Sequence, residues 1–461
     1  MNNIINKLKE KNIAILGFGK EGYSTYKYIR KHLINQKITI LDKNEKILNS
    51  FKELAKDKNI EFILGDKYQD NLEIYDYVIK TPGIYLSPEE VLKLNNKLTS
   101  QMSLVLNETD AFIIGITGTK GKSTTSSLIY KVIKDQDKDV HLVGNIGNPI
   151  LDYIDLVNEN TILVAEFSAH QLQHIKKSPK IGIILNLFEE HLDYFKDVNK
   201  YFEAKLNMFK YQTENEFGIY FLDNDTLNDY IKSNKYKSKL TPVTFIGYDN
   251  DCMYADDNHI YKQSDKSKEI IYNVNDSRNL VGKHNIGNIM FVLKVVDILG
   301  LDYNKAINSI NTFEGLEHRL KKVGTFNNII FYCDTIATIP AATINGINSL
   351  GNVDTLIFGG MDRGIDYSIF AEDLLKTSIT NFICMPETGY KIGNKLNELK
   401  RENQNIYFVE ELEEAVKIAY KVTEKEKICL LSPAAPSYNR YKNYEEKGNY
   451  FIEYVKSYEE K

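Results

Sequence analysis

The sequence predicts an α/β protein of three domains, each built on a mainly parallel sheet. Three observations carry this. The chain has 461 residues, and domains average roughly 150. Short apolar runs alternate with amphipathic stretches along its length. Two glycine-rich loops, near residues 17 and 118, each follow an apolar run and open a helical pattern.

In the first block, residues 1–105, NIAIL (12–16) and KITIL (37–41) read as buried parallel strands around an amphipathic stretch at 22–35, and YVIKTPGI (77–84) as a third strand ending in a Pro-Gly turn. The second block, 106–315, opens with the strand AFIIGITG (111–118). It continues through strands near 161–166 and 181–187 to a helix near 284–299. Its polar interior, about 223–278, reads as a small lobe or insertion. In the third block, 316–461, strands are expected at 328–334, 354–360, 381–385 and 427–433, with helices at 339–350 and 410–425.

Composition narrows the function. With 43% hydrophobic and 26% charged residues the chain is globular rather than disordered. No run reaches the ~18–20 apolar residues of a membrane span, and the opening MNNIINKLKEKN lacks the apolar core of an export signal. Cys252, Cys333, Cys384 and Cys429 show no paired spacing, which fits a reducing cytoplasm and argues against disulfides or a cysteine zinc site. A net charge of −5 gives no reason to expect nucleic acid. Only six of the 58 basic residues are arginines, so Arg319, Arg363 and Arg440 stand out.

Gly17, Gly19 and Gly22 complete G-x-G-x-x-G after a strand, and Asp42 ends the next strand. Such a loop puts a helix N-terminus against a diphosphate and a carboxylate near a ribose. A nicotinamide or flavin dinucleotide, another nucleotide diphosphate, or a structural turn all satisfy it. The second loop reads GITGTKGKSTT (115–125). The strict phosphate-loop pattern fails because Ile116 stands where its first glycine belongs, but the physical parts remain. Amides of Gly118, Thr119, Lys120 and Gly121 can cradle phosphates, Lys122 can reach the β and γ groups, Ser123 can meet Mg²⁺, and a helix is expected from about Thr124. Downstream, Glu166 ends a strand, where a carboxylate suits Mg²⁺. His191 follows another strand, and Lys205 lies in an expected helix among apolar neighbours. A helix cap, a surface histidine and a solvated lysine are the ordinary readings of these three.

Together these segments resemble the Mur ligase family, the ATP-dependent amide ligases of peptidoglycan synthesis. The resemblance covers nearly the whole chain, in order: GITGTKGKSTT, GNIGNPI (144–150), Glu166, His191, EAKLNMF (203–209), VGKHNIGNIM (281–290), LEHRL (316–320) and LLSPAAPSYNRYKNYEEKG (430–448). It implies a Rossmann-like N-terminal domain, a central P-loop ATPase domain and a C-terminal Rossmann-like domain. It implies ATP held by residues 118–124 with Asn285, Asn288, Arg319 and Asp334, and two Mg²⁺ held by Ser123, Glu166, His191 and a carbamylated Lys205. Lys122, His191 and Lys205 are the implied catalytic residues. The short first domain and the SPA segment resemble the branch that adds D-glutamate to UDP-N-acetylmuramoyl-L-alanine through an acyl phosphate. The first loop is then a UDP site, formed by Gly17, Gly19, Lys20, Glu21, Gly22, Asp42, Lys43, Pro82 and Gly83, with Asn145 and Ser168. Thr338, Arg363, Ser437 and Tyr444 would hold the amino acid. The alternatives are the same ligation with L-glutamate, or another ATP-dependent amide ligase of the superfamily. A monomer is expected.

The chain departs from the family at Lys120, commonly Asn, at Ile336, where the D-glutamate branch often has Lys, and at Arg363, also often Lys. Arg can bind a carboxylate through two bonds where Lys acts as a point charge.

Overall fold

The computed structural model describes residues 3–459 except 249 and 365, with 193 in its backbone alone. The chain divides into two compact units, Met1–Asp276 with Ile286–Ile310, and Ser277–Asn285 with Asn311–Lys461.

The first unit holds two sheets. One joins β1 (Ile13–Leu16), β2 (Ile38–Asp42), β3 (Ile60–Leu64), β4 (Tyr77–Lys80) and β5 (Leu98–Thr99) in the order β3-β2-β1-β4-β5, all parallel. Every residue of β1 is buried, as expected of a strand covered on both faces. The chain leaves β1 toward β2 on one side and returns as β4 on the other, so a crevice opens at the carboxyl ends of β1 and β4.

The second sheet joins β6 (Phe112–Thr117), β7 (Val140–Gly144), β8 (Ile162–Glu166), β9 (Ile181–Ile184), β10 (Phe217–Phe221), β11 (Lys239–Thr244), β12 (Cys252–Ala255), β13 (His259–Ser264) and β14 (Ser267–Asn273). Their order is β14-β13-β12-β11-β10-β9-β6-β8-β7. Here the expected lobe at 223–278 is corrected. It contributes β11 and β12 as further parallel strands, then an antiparallel hairpin β13–β14 at the sheet edge. Its polar, tyrosine-rich composition suits an edge with a solvated face. Tyr254 and Tyr261 stack with ring centroids 5.7 Å apart, and the Lys268 ammonium lies 3.9 Å from the Tyr261 ring.

Gly115 of β6, Gly182 of β9 and Gly218 of β10 are register partners, forming a row across three neighbouring strands. The helix Val198–Lys210 packs over this row. A Cβ on Gly182 would lie 2.8 Å from the Met208 carbonyl oxygen, one on Gly115 2.9 Å from Met208 Sδ, and one on Gly218 3.2 Å from the Phe209 ring. The bare glycines set the depth to which this helix, which carries Lys205, sinks onto the sheet.

The second unit holds β15 (Lys321–Phe326), β16 (Ile329–Cys333), β17 (Val353–Phe358), β18 (Asn381–Cys384), β19 (Asn405–Phe408) and β20 (Ile428–Leu431), in the order β15-β16-β20-β17-β18-β19. Only the edge pair β15–β16 is antiparallel. Alternate residues of β17, β18 and β20 feed two apolar cores, one around Leu356, Phe358 and Phe382 and the other around Ile357, Ile383 and Leu431. Among the described residues no helix is long and apolar enough to cross a membrane.

Gly182→Val should destabilise the protein by about 1–3 kcal/mol, the usual cost of overpacking, because the obstacle is helix backbone that cannot rotate away. Denaturant melts of the two proteins check this; an unchanged midpoint would mean that the helix is free to lift.

Candidate active site

At the first crevice, the β1 strand ends in Gly17 at φ +86, where an added Cβ would collide with Thr81 Oγ1. One on Gly22 would collide with the Gly17 carbonyl. Gly19, by contrast, caps the helix Lys20–His32 with open space around its missing side chain. The loop is therefore cramped on its inner side and open where a diphosphate would approach. Asp42 accepts hydrogen bonds from the Phe18 N–H at 2.6 Å and the Asn44 N–H at 2.7 Å, so its carboxylate braces the loop. Lys43 and Gly83 are exposed and Pro82 half-buried.

Lys20 donates to the Gly147 carbonyl at 2.8 Å. Glu21 is half-buried, and its carboxyl is pushed above the ordinary range by desolvation, partly offset by a 2.6 Å hydrogen bond from Gln171 and by the Lys80 charge. Ser168 caps the short helix Ala169–Leu172 through Gln171. Two predicted residues, Lys20 and Glu21, thus join the first sheet's loop to the second sheet's segment. The sequence reading missed Lys80 and Gln171. Lys80 is 4% exposed and its ammonium is pushed down to about 8 by burial, partly offset by Glu21; a charged residue ending an otherwise apolar strand was the available signal.

The phosphate loop follows β6. Gly118 and Gly121 both have positive φ, +151 and +84, and a Cβ on Gly121 would lie 2.9 Å from Asn288 Oδ1. Gly121 caps the helix Lys122–Lys134, which begins two residues before the expected position and includes Ser123 and Thr124. Asn186, also missed, braces the loop. Its Oδ1 accepts from the Thr119 N–H at 3.0 Å and the Lys120 N–H at 2.8 Å, and its Nδ2 donates to the Lys120 carbonyl at 3.1 Å. Lys122 Nζ lies over the loop, donating to the Thr119 carbonyl at 3.0 Å. Lys120 Nζ sits 3.3 Å from Glu190 in an exposed ion pair.

Three groups converge beside this loop. Glu166 is 1% exposed; Asn145 Nδ2 donates to its Oε1 at 2.8 Å, while Oε2 is buried with no hydrogen-bond partner. It is no helix cap. Lys205 is likewise 1% exposed, its Nζ 2.8 Å from the Gly118 carbonyl and 4.8 Å from the Tyr201 ring centre. Burial holds its ammonium well below the ordinary lysine range, and Lys122 lowers it further, with Glu190 and Glu166 opposing. It is not a solvated lysine. His191, exposed and at φ +58, faces the same aromatic group: its ring centroid is 5.9 Å from that of Tyr201 and 5.0 Å from that of His170. Among the described residues no three His, Cys, Asp or Glu side chains converge on one metal position. The unpartnered Glu166 oxygen is the feature that fits a cation.

In the second unit, Asp334 ends β16 almost fully buried. Its Oδ2 accepts from Ser432 Oγ at 2.9 Å and its Oδ1 from the Leu320 N–H at 3.1 Å, yet desolvation pushes its carboxyl up to about 7. The hydrogen bonds and the Arg319 charge only partly offset that burial. Arg319 Nε and Ser437 Oγ are buried without hydrogen-bond partners. Arg363 is exposed and donates to the Thr338 carbonyl at 3.1 Å; it pairs with neither neighbouring aspartate, since Asp362 is held by Lys391 and Asp366 by the Ser368 N–H. Tyr444 opens the helix Tyr444–Ser457, and its carbonyl accepts from Thr335 Oγ1. Asn285 Nδ2 donates to the Val281 carbonyl at 2.7 Å. Ile336 is half-buried.

A carboxyl raised in the folded state binds its proton over a range where the unfolded chain has released it, so its contribution to stability falls as pH rises from about 4 to about 7. Asp334→Asn should therefore gain stability relative to wild type at pH 8 and lose that gain below about pH 4. Paired denaturant melts at the two pH values check it; a difference independent of pH would mean that Asp334 ionises normally.

Family models place a MurD-like Mur ligase N-terminal domain at residues 11–100 and a Mur ligase middle domain at residues 116–296. The UDP-N-acetylmuramoylalanine–D-glutamate ligase of Acetivibrio thermocellus is 32% identical, covering 100% of this chain and 99% of its own. That of Clostridioides difficile is 32% identical over 97% of this chain and 99% of its own. Among solved structures, a MurF ligase from Thermotoga maritima in complex with ADP superposes with TM-score 0.57 at 15% identity, covering 100% of this chain and 99% of that one. The UDP-N-acetylmuramate-alanine ligase MurC of the same organism gives 0.59 at 17%, covering 97% and 100%. The structural likeness speaks for the fold alone; relatives at this identity along the full length mean that the chain belongs to the Mur ligase family, with the MurD-like type of N-terminal domain.

Proposed function

We propose that this chain is an ATP-dependent ligase that joins D-glutamate to UDP-N-acetylmuramoyl-L-alanine, working as a cytoplasmic monomer. Residues 1–105 would hold the UDP substrate, 106–315 the ATP and 316–461 the amino acid. The observation that carries the reading is the buried Lys205 amine against the phosphate-loop carbonyl of Gly118, beside the unpartnered Glu166 oxygen. Relatives of the same length bearing that activity in their names support it.

The substrate carboxylate attacks the γ-phosphorus of ATP, giving an acyl phosphate and ADP. The amine of glutamate then attacks the acyl carbon and phosphate leaves. Charge builds on phosphoryl oxygens, so positioning and electrostatics dominate the catalysis. Loop amides from Gly118 to Thr124 and the Lys122 ammonium bind those oxygens. In this reading Ser123, Glu166, His191 and a carbamylated Lys205 would hold Mg²⁺, two ions in all, which when bound would neutralise phosphate charge. The Lys205 amine forms the carbamate by adding to CO₂ and losing a proton. Only a neutral amine can do this, and burial of Lys205 favours that form. Asp334, Arg319, Asn285 and Asn288 are assigned to the nucleotide, and Thr338, Arg363, Ser437 and Tyr444 to glutamate. UDP binding falls to the glycine loop with Lys20, Lys43, Pro82, Gly83, Asn145 and Ser168, while Glu21 and Asp42 shape the loop around it.

ADP release should require both UDP-N-acetylmuramoyl-L-alanine and an amino acid, and D-glutamate should be used faster than L-glutamate. Release without either substrate would end the ligase reading; preference for L-glutamate would move the chain to the L-glutamate ligation. Protein equilibrated with ¹³CO₂ should show a carbamate resonance that is absent from Lys205→Ala, and formate should restore part of that variant's activity. Full activity of the unsupplemented variant would remove the carbamate. Arg363→Ala should raise KM for glutamate by about tenfold or more while leaving KM for ATP and the UDP substrate within about twofold. Equal changes in all three would make Arg363 structural.

A further inference from the structure

Helix Tyr444–Ser457 contains a lysine that the mechanism above does not use. Lys447 is 1% exposed, and its Nζ donates to the Gly359 carbonyl at 2.8 Å. Among the described residues no carboxylate lies within ion-pair distance of it. An apolar side chain would fill this space without the cost of burying an amine, so the bond itself is the feature that needs a reason.

Gly359 begins the loop that carries Arg363. Its φ is +124, and a side chain there would collide with the Met385 carbonyl. The loop is held from the other side by the 433–437 segment: the Gly359 N–H donates to Pro433 at 2.9 Å and the Met361 N–H to Pro436 at 2.7 Å. That segment ends at Ser437, whose hydroxyl is buried without a partner. Lys447 lies one turn along the helix from Tyr444. The same turn is fixed to β16 and its flank, because Thr335 Oγ1 donates to the Tyr444 carbonyl at 2.8 Å and Gly448 leaves room for the His318 ring. Beyond the clamp, Arg363 reaches the Thr338 carbonyl. The four residues assigned to glutamate thus sit on separate pieces of chain, and the Lys447–Gly359 bond ties the piece bearing Tyr444 to the piece bearing Arg363.

We propose that Lys447 is the positioning residue of the amino-acid site, its bond to the Gly359 carbonyl fixing the Arg363 loop against the helix that presents Tyr444. This rests on the assignment of that site to glutamate. Burial that pushes the amine down to about 7 is compatible with the role, since the neutral amine still donates.

The test begins with wild type, whose ADP release must depend on glutamate; if it does not, the functional reading fails before Lys447 is examined. Lys447→Met, which fills the space but cannot donate, should raise KM for D-glutamate about tenfold and leave KM for ATP and the UDP substrate within about twofold. Lys447→Arg, which keeps a donor, should recover most of that loss. Lys447→Gln replaces the Met variant if circular dichroism shows that the latter does not fold. An unchanged glutamate KM in a folded variant without the amine, equal KM changes for all three substrates, or no recovery with Arg would overturn the proposal. So would loss of fold in both the Met and Gln variants, which would make Lys447 a pillar of the domain and not of the site.

Discussion

The close approach of helix Val198–Lys210 to the second sheet governs where the Lys205 amine meets the phosphate loop. The row Gly115, Gly182, Gly218 removes the side chains that would hold the helix away, and Met208 and Phe209 settle over it. Lys205 is on the same helix, so the depth of packing fixes how far its amine reaches. The amine arrives at the Gly118 carbonyl, where the strand turns into the loop. A shallower helix would let water reach Lys205, and a hydrated ammonium gains no reactivity from its surroundings. Here packing sets the dielectric, and the dielectric disfavours the charged form of the amine.

The electrostatics are cooperative. Lys122 and Lys205 are two basic groups beside one phosphate loop, and the Lys122 charge disfavours the ammonium form of Lys205. The one whose ammonium is disfavoured is the more buried, Lys205. That asymmetry follows from position: Lys122 is the first residue of a helix and half-buried, whereas Lys205 lies within a helix against the sheet. Conversion of Lys205 to an anionic carbamate would turn a like-charge neighbour into an attractive one.

Much of this was legible in the sequence. Apolar runs such as IAIL and VDTLIF are buried throughout and were readable as parallel strands. Strands half-covered or at edges were not. IEFIL of β3 interposes Glu61, and NIYF of β19 is too short and exposed to stand out. The 223–278 stretch misled for the same reason, since an edge hairpin carries the composition of a surface. At the candidate sites, motif spacing pointed to the glycine loops themselves, while the residues that brace them were missed. Asn186, Gln171 and Ser432 meet their partners only through the fold, 66, 150 and 98 residues away in sequence. The G-x-G-x-x-G pattern shows the limit of spacing alone. It placed Asp42 correctly at the end of β2, but the carboxylate is occupied by loop amides. The pattern specifies a way of turning a strand into a helix, and the ligand is decided by what stands around the opening.

An unsatisfied polar atom is a weak pointer to a site when taken by itself. Among the described residues such atoms occur on Gln136, Gln212 and Ser238 as well as on Glu166, Arg319 and Ser437. The amides and hydroxyls of the first group each cost the protein little, because one neutral group without a partner loses roughly 1–3 kcal/mol. Carboxylates and guanidinium groups are different, since burial without full compensation is far more expensive for a charge. Glu166 and Arg319 each keep one buried atom without a partner, and Asp334 shows the expense as a carboxyl raised to about 7 despite two hydrogen bonds and the Arg319 charge. These three charges lie at or beside strand ends, where the backbone is held firmly enough to keep a side chain in an unfavourable place. In the function proposed above, a nucleotide or a cation would supply the missing partner, so binding would recover what folding gave up. Ser437 belongs with them by position: it ends the segment whose carbonyls clamp the Arg363 loop, and its buried hydroxyl has no partner.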